Sequence, residues 1–330
     1  MVIWKYITNH VARKVYIMIT STVEENKKIK VVTIDDINKK LENPALFIEE
    51  CEEKYTRRVA RAAAGIKENI SKKPIILLSG PSGSGKTTSA NLIADALRRE
   101  NINTIVISMD DYFVPGEISP GPDGKVDYER PDRVDIPLLK RDMEILADCG
   151  EITLPRFSFS DNTRSWGETI KRDKDTAIII EGIHALNPEL TGGHHDYATF
   201  VYVSVRTRIA DSTGQLLHPS KIRLLRRLSR DKLFRGRDYK HTVLNFPSVQ
   251  KGESLYIAPY KHRADYDIDT FFAYEICAYK KVLPSICTNF EKYEKRADMY
   301  SVLPHFLNLA NEIETGLIPS RSIVREFIGQ

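Results

Sequence analysis

Gly80-Pro81-Ser82-Gly83-Ser84-Gly85-Lys86-Thr87 satisfies G-x-x-x-x-G-K-[ST], the spacing of a nucleoside-triphosphate phosphate loop. Ahead of it, Pro74-Ile75-Ile76-Leu77-Leu78 reads as a short, fully buried strand. Behind it, Thr88 to Arg99 reads as a helix, with Ala90, Ile93, Ala94 and Leu97 at three- and four-residue steps. Strand, glycine-rich turn and helix start are the arrangement that phosphate binding needs. Gly80, Gly83 and Gly85 let the loop's backbone N–H groups, those of Ser82 and Ser84 included, turn inward around phosphates. The helix N-terminus, with Thr88 in its first turn, adds partial positive charge. Lys86 is placed to reach the β- and γ-phosphates, and the Thr87 hydroxyl to hold Mg²⁺.

The chain has 330 residues, of which 42% are hydrophobic and 28% charged, an ordinary balance for a globular protein. Its formal charge is +4, from 49 Lys+Arg against 45 Asp+Glu. That excess is too small to argue for nucleic acid or an anionic membrane, so basic function must come from local clusters. Cys51, Cys149, Cys277 and Cys287 lack C-x-x-C spacing, which points to reduced thiols and neither a disulfide framework nor a zinc site. No apolar run reaches membrane-spanning length, and Val15 to Ile19 is too short for a signal segment. The expected location is the cytoplasm.

Residues 1–70 read as a small α+β extension: short β-type runs at Lys14–Thr20 and Ile29–Ile34, then a helix over Ala45–Asn69. In that helix Phe47, Cys51, Tyr55, Val59, Ala62 and Ile66 recur at helical steps. Residues 71–330 read as the phosphate-loop domain. Strand patterns at Thr104–Met109, Thr176–Ile180 and Ala198–Val205 alternate with helix patterns at Ile136–Asp148, Ser220–Phe234 and Phe272–Ile286. This predicts an α/β, P-loop NTPase fold: a mainly parallel sheet with helices on both faces and ligands beyond the carboxyl ends of its strands.

Three clusters could carry chemistry. Ile105-Val106-Ile107-Ser108-Met109 ends in Asp110-Asp111-Tyr112-Phe113, where a carboxylate could take a proton from an attacking hydroxyl or simply close a turn. Ala177-Ile178-Ile179-Ile180-Glu181-Gly182 ends in one acid, either a Mg²⁺ ligand or a cap. Arg223, Arg226, Arg227 and Arg230 share one helix face and are followed by Arg235-Gly236-Arg237. Four like charges need a compensating anion, so these arginines read as a lid over a triphosphate, with a solvated basic face as the alternative. His194-His195 reads as solvated loop, Trp166 and the tyrosines as packing or rim residues.

Together these segments resemble the uridine kinase/phosphoribulokinase family of P-loop kinases. The resemblance runs from about residue 70 to the end. It takes in Tyr128-Glu129-Arg130-Pro131-Asp132, Leu154-Pro155-Arg156-Phe157-Ser158-Phe159, Ile180-Glu181-Gly182-Ile183, Arg226 to Asp231 and Ala264-Asp265. The ending Ile318 to Gly329, with Pro247-Ser248-Val249 and Gly252-Glu253, is similar to a bacterial nucleoside-kinase branch whose members often carry an N-terminal TGS domain, which is not evident in this sequence. The resemblance implies ATP- and Mg²⁺-dependent transfer of the γ-phosphoryl group to a hydroxyl, in uridine kinases the ribose 5′-OH. It implies Asp110 as base and Thr87 with Glu181 as the Mg²⁺ environment. Glu129 falls where uridine kinases hold the ribose hydroxyls with an aspartate. Arg227, Arg230, Arg235 and Arg237 match lid and phosphate-binding arginines, with Arg230 and Lys86 acting on the transferred group. Tyr112, Arg156 and Phe157 complete the implied acceptor side.

Two departures bear on the acceptor. Uridine kinases usually read the pyrimidine with Tyr-Asp-Phe and a following histidine; here the stretch is Phe157-Ser158-Phe159, with no histidine before Trp166. Glu129 replaces the usual aspartate. The expected partner is a small molecule, a nucleoside or another ribose-type alcohol. A sugar-phosphate acceptor, with Arg130, Arg133 or Arg156 as its anchor, and a nucleotide-gated RNA binder stay open, as does a homo-oligomeric state.

Overall fold

The computed structural model describes residues 29–116, 127–193, 196–283 and 302–329. The expectations for Lys14–Thr20, His194-His195, Cys287 and the far end of the Phe272–Ile286 helix lie outside the described residues. In chain order the elements begin with β1 (Val31–Thr33), α1 (Ile34–Lys40), α2 (Pro44–Asn69), β2 (Ile75–Ser79), α3 (Lys86–Arg99) and β3 (Asn103–Ser108). Next come α4 (Ile136–Ala147), β4 (Glu151–Ser158), β5 (Thr163–Lys171), β6 (Thr176–Glu181), α5 (Pro188–Thr191) and β7 (Ala198–Ser204). The chain continues through β8 (Arg208–Ala210), β9 (Leu216–Leu217), α6 (Pro219–Phe234) and α7 (Tyr239–Gly252), then β10 (Tyr266–Asp269), α8 (Glu275–Val282), α9 (Val302–Leu309) and α10 (Arg325–Ile328).

Five strands form the central sheet in the order β10-β7-β2-β6-β3, every neighbouring pair parallel. Successive side chains of a strand point to opposite faces, and β2 uses both. Ile76 and Leu78 enter one core with α2, α3, α6 and α8, while Ile75 and Leu77 enter a second with α4. All four are fully buried, which is why the strand reads as an unbroken apolar run and not as an alternating one. The residues expected to line α2 do so: Phe47, Cys51, Tyr55, Val59, Ala62 and Ile66 share a core with Ala90, Ile93, Ala94 and Leu97 of α3. Asn43 caps α2 by accepting from the Leu46 N–H, with Pro44 in the first turn. β1 pairs in parallel with β8, so the described part of the extension is woven into the main body.

Several features depart from the sequence reading. The β-type run read over Ile29–Ile34 is a strand only over Val31–Thr33, because Thr33 caps a helix that Ile34 opens. β4 and β5 form an antiparallel hairpin that no pattern announced. β5 is exposed at most positions and shows no hydrophobic alternation; β4 alternates only over Glu151–Leu154, before Pro155 interrupts it. The predicted helix from Phe272 begins at Glu275, because Phe271 and Phe272 are spent filling the core and the Phe272 N–H donates to the Glu275 carboxylate.

Strand register sets the site. Glu181 stands opposite both Leu78 of β2 and Ser108 of β3. The phosphate loop, Glu181 and the Asp110 turn therefore leave the sheet at one level, on its carboxyl edge.

Candidate active site

The phosphate loop joins β2 to α3. Gly85 (φ 81°) takes the N-cap position in the left-handed region and gives α3 no side-chain cap. The first-turn amides are thus left for an anion. At Gly80 a Cβ would fall 2.2 Å from the Val203 carbonyl oxygen, so only glycine fits between β2 and β7.

Around the loop gather three acids. Asp110 lies on a 3-10 turn, Met109–Tyr112, straight after β3, with Ser108 accepting from its N–H. It is exposed. The protein around it raises its pKa by desolvation, opposed by the charges of Lys86, Arg235 and Arg230. Glu129 is 9% exposed and its Oε2 has no hydrogen-bond partner. Burial raises its pKa against Arg227 and Lys86. Glu181 is 6% exposed and likewise raised by burial, with Lys86 opposing. Lys86 therefore acts electrostatically on all three carboxylates, and among the described residues it forms no ion pair with any of them.

Thr87 and Glu181 meet where the sequence placed a metal: the Thr87 hydroxyl donates to Glu181 Oε1 at 3.0 Å, and the Ser108 hydroxyl lies 3.4 Å from the same oxygen. A hydroxyl and a buried carboxylate are hard oxygen donors, and Mg²⁺ at phosphoryl-transfer sites takes one or two such ligands plus phosphate oxygens and water. The residues present fit that ion. Among the described residues no cluster of three or more His, Cys, Asp or Glu forms a metal cage.

The arginines of α6 require a correction. Three of them, Arg223, Arg226 and Arg230, have their charges compensated inside the protein by Glu253, Glu275 and Asp231, whereas Arg227 has no ion pair among the described residues. Arg226 is fully buried; its Nε and Nη2 pair with the Glu275 carboxylate at 2.8 and 3.0 Å, and its Nη1 donates to the Gly83 carbonyl at 3.1 Å. Arg223 donates to the Ser82 carbonyl at 3.1 Å and to Glu253 at 2.5 Å. Arg227 donates to the Ser82 hydroxyl. All three touch the phosphate loop, and Arg227 also acts on Glu129, so it borders the cleft. The periodicity put them on one face correctly; the acids opposite come from distant segments, which no local pattern reveals. Arg227 is pushed down to about 10 by burial and by Arg230, and is still charged at neutral pH. Arg230 pairs with Asp231 at 3.1 Å, and Arg235 reaches the same carboxylate at 3.5 Å. Both also act on Asp110, so they border the cleft. The Arg237 side chain is exposed, and only its backbone N–H is bound, to the Asp231 carbonyl.

On the acceptor side, Asp111 ties the β4–β5 hairpin to the Asp110 turn, accepting from Arg156 at 3.2 Å and from the Phe157 N–H at 3.3 Å. Phe113, Phe157 and Phe159 pack edge to face, with centroids 5.0–5.7 Å apart. Tyr112 is not part of this wall. In a 3-10 turn residues three apart share a side, so Tyr112 follows Met109 into the core, and its hydroxyl donates to Asp142 at 3.1 Å. Thr88 is also committed: its hydroxyl donates to Glu326 at 2.6 Å.

Sequence reasoning passed over His184. It is 1% exposed, three residues beyond Glu181, and neither ring nitrogen makes a hydrogen bond. Burial lowers its pKa to about 4, keeping it neutral. Its position just past a strand's carboxyl end was the available signal. A concavity of about 630 Å³ lined by Ile48, Glu52, Leu317 and Pro319 contains none of the phosphate-loop residues.

The profile of the Phosphoribulokinase / Uridine kinase family matches residues 75–276. This chain belongs to that family. It is 31% identical over 198 residues to the uridine kinase of Lactobacillus johnsonii, covering 59% of this chain and 86% of that protein. It is 33% identical over 200 residues to the uridine kinase of Lactobacillus helveticus, covering 58% and 85%. The solved phosphoribulokinase from Rhodobacter spheroides aligns at 17% identity with a TM-score of 0.42, over 60% of this chain and 70% of that one. The protein is a kinase that transfers phosphate to an alcohol group. No helix of the described residues is long and apolar enough to cross a membrane.

Proposed function

We propose that this kinase uses ATP and Mg²⁺ to phosphorylate the 5′-hydroxyl of a nucleoside, uridine- or cytidine-like, with Asp110 as the base. The observation that supports it most is the convergence of Asp110, Glu129 and Glu181 on Lys86 at the carboxyl edge of the sheet. Phosphoryl transfer asks little of a protein beyond positioning, charge neutralisation and a proton acceptor, and each has a residue here. The phosphate-loop amides and Lys86 bind and orient the triphosphate. Thr87 and Glu181 would hold Mg²⁺, which when bound offsets charge on the β- and γ-phosphate oxygens. Glu129, with Oε2 unpartnered, offers an acceptor to the hydroxyls of a ribose. Asp110 takes the proton of the attacking hydroxyl as its oxygen bonds to the γ-phosphorus and the bond to ADP breaks. Arg230 and Arg235 border Asp110 and close the charged side of the cleft.

A phosphorylated acceptor is served less well. Arg130 is paired with Asp132 and Arg156 with Asp111, so two of the three candidate anchors are committed within the protein. The test is ADP release from Mg·ATP across ribonucleosides, deoxynucleosides and ribulose 5-phosphate. Asp110→Asn is expected to cut kcat by about 10²–10⁴-fold while ATP affinity holds, the usual contribution of a positioned base. Near-normal turnover of that variant removes Asp110 from the role, and turnover with ribulose 5-phosphate alone replaces the nucleoside reading.

A further inference from the structure

The C-terminal stretch Ile318 to Gly329 has no part in the chemistry above, yet it is bound to the phosphate loop. Phe327 is fully buried, with the Arg226 guanidinium 5.1 Å from its ring centre, the same guanidinium that donates to Gly83. The Ile323 side chain fills the space beside Gly85, where a Cβ would lie 2.9 Å from it. Arg325 locks the segment by donating to the carbonyls of Thr315, Ile318 and Gly329. From this anchored segment Glu326 extends to the Thr88 hydroxyl, 2.6 Å away.

That contact puts a carboxylate at the third residue of α3, the helix whose first turn has no side-chain cap and follows directly from the phosphate loop. No lysine or arginine pairs with Glu326 among the described residues. Its favourable partners are the Thr88 hydroxyl, the positive end of the helix and the charge of the buried Arg226, and the first two are features that also favour a nucleotide's phosphates. Its charge also reaches Glu181, where it adds to the forces raising that carboxyl's pKa.

We propose that Glu326 is a nucleotide-affinity-determining residue: seated on Thr88, it competes with the phosphates of the incoming nucleotide and keeps affinity below what the loop alone would give. This rests on the nucleotide-binding reading. The repulsion acts between one fixed charge and the phosphate charges, so its effect must grow with the number of phosphates.

The experiment is titration of Mg·ATP, Mg·ADP and adenosine into wild type, Glu326→Gln and Glu326→Asp, without acceptor. Lys86→Ala is the control, and thermal melting checks that each variant is folded. Removing one half-buried like charge should tighten Mg·ATP about 5- to 10-fold, Mg·ADP less, and adenosine not at all. Glu326→Asp keeps the charge and should keep the wild-type order. Raising the salt should shrink the gain. Unchanged or weaker Mg·ATP binding by Glu326→Gln overturns the proposal, as does an equal gain for adenosine, which would mark a packing effect. If neither wild type nor variant binds Mg·ATP, the nucleotide reading itself falls and takes this inference with it. Binding by wild type without a gain sinks this inference alone.

Discussion

Replacing Glu275 by alanine should separate what holds the phosphate loop from what binds phosphate. Glu275 is fully buried and accepts from Arg226 at 2.8 and 3.0 Å, from the Phe272 N–H at 3.1 Å and from the Tyr279 hydroxyl at 3.3 Å. Burial opposes the Arg226 charge, but the Glu275 carboxylate outweighs it and raises that pKa. Without Glu275 the guanidinium would be buried and uncompensated, which costs about 3–5 kcal/mol. At ~2 °C per kcal/mol for a chain of this size, the melting temperature should fall by ~6–10 °C. Arg226 would be drawn from the Gly83 carbonyl, so Mg·ATP affinity should fall with it, although Glu275 touches no ligand. Exchanging both partners, Arg226→Met with Glu275→Leu, removes the buried charges together and should recover part of the loss. It cannot recover all of it, because the Gly83 and Thr270 carbonyls each lose a donor at about 1–3 kcal/mol. The assay is thermal denaturation of the two single variants and the double, with Mg·ATP titration on each. A single-variant shift below ~2 °C would refute the idea that this pair is a desolvated unit supporting the loop.

Other outcomes follow from the same geometry. His184 is neutral in the folded chain, with its pKa lowered to about 4 by burial, while the unfolded chain protonates it near its ordinary value. Its stability contribution is intact above about pH 6.5 and is lost as pH falls toward 4, by ~3 kcal/mol in all; His184→Phe should flatten that acid limb in denaturant titrations at pH 7 and 4.5, and an unchanged slope would sink the assignment. Gly80→Ala drives a methyl into the Val203 carbonyl oxygen 2.2 Å away, so soluble yield and melting temperature should fall by an amount equivalent to about 1–3 kcal/mol or more. Glu129→Gln keeps the size of a side chain whose Oε2 is unpartnered. It should raise the acceptor KM roughly tenfold, the worth of one charge-assisted hydrogen bond, and leave the KM for ATP alone; equal effects on both would place Glu129 outside the acceptor site.

What the sequence determines by itself is what can be encoded within a few residues. The phosphate loop is legible because two glycines in the left-handed region, a lysine and a threonine are needed at fixed local spacing. The strand before it is legible because burial on both faces demands an unbroken apolar run, and the α2 core face because a helix repeats every 3.6 residues. Family membership, resting on many such segments in order, was readable in the same way. The tertiary structure alone decides the partners. Arg226 meets Glu275 across 49 positions, and Thr88 meets Glu326 across 238. Four arginines on one helix face look alike in sequence, yet Arg223 and Arg226 are paired with acids and support the loop while Arg227 and Arg230 border the cleft. Tyr112 and Asp110 sit two residues apart and go to opposite sides of one tight turn. Local spacing fixes the direction in which a side chain points, but the charge or hydroxyl it meets is brought there by strand order and helix packing, and that decides whether a residue binds, supports or competes.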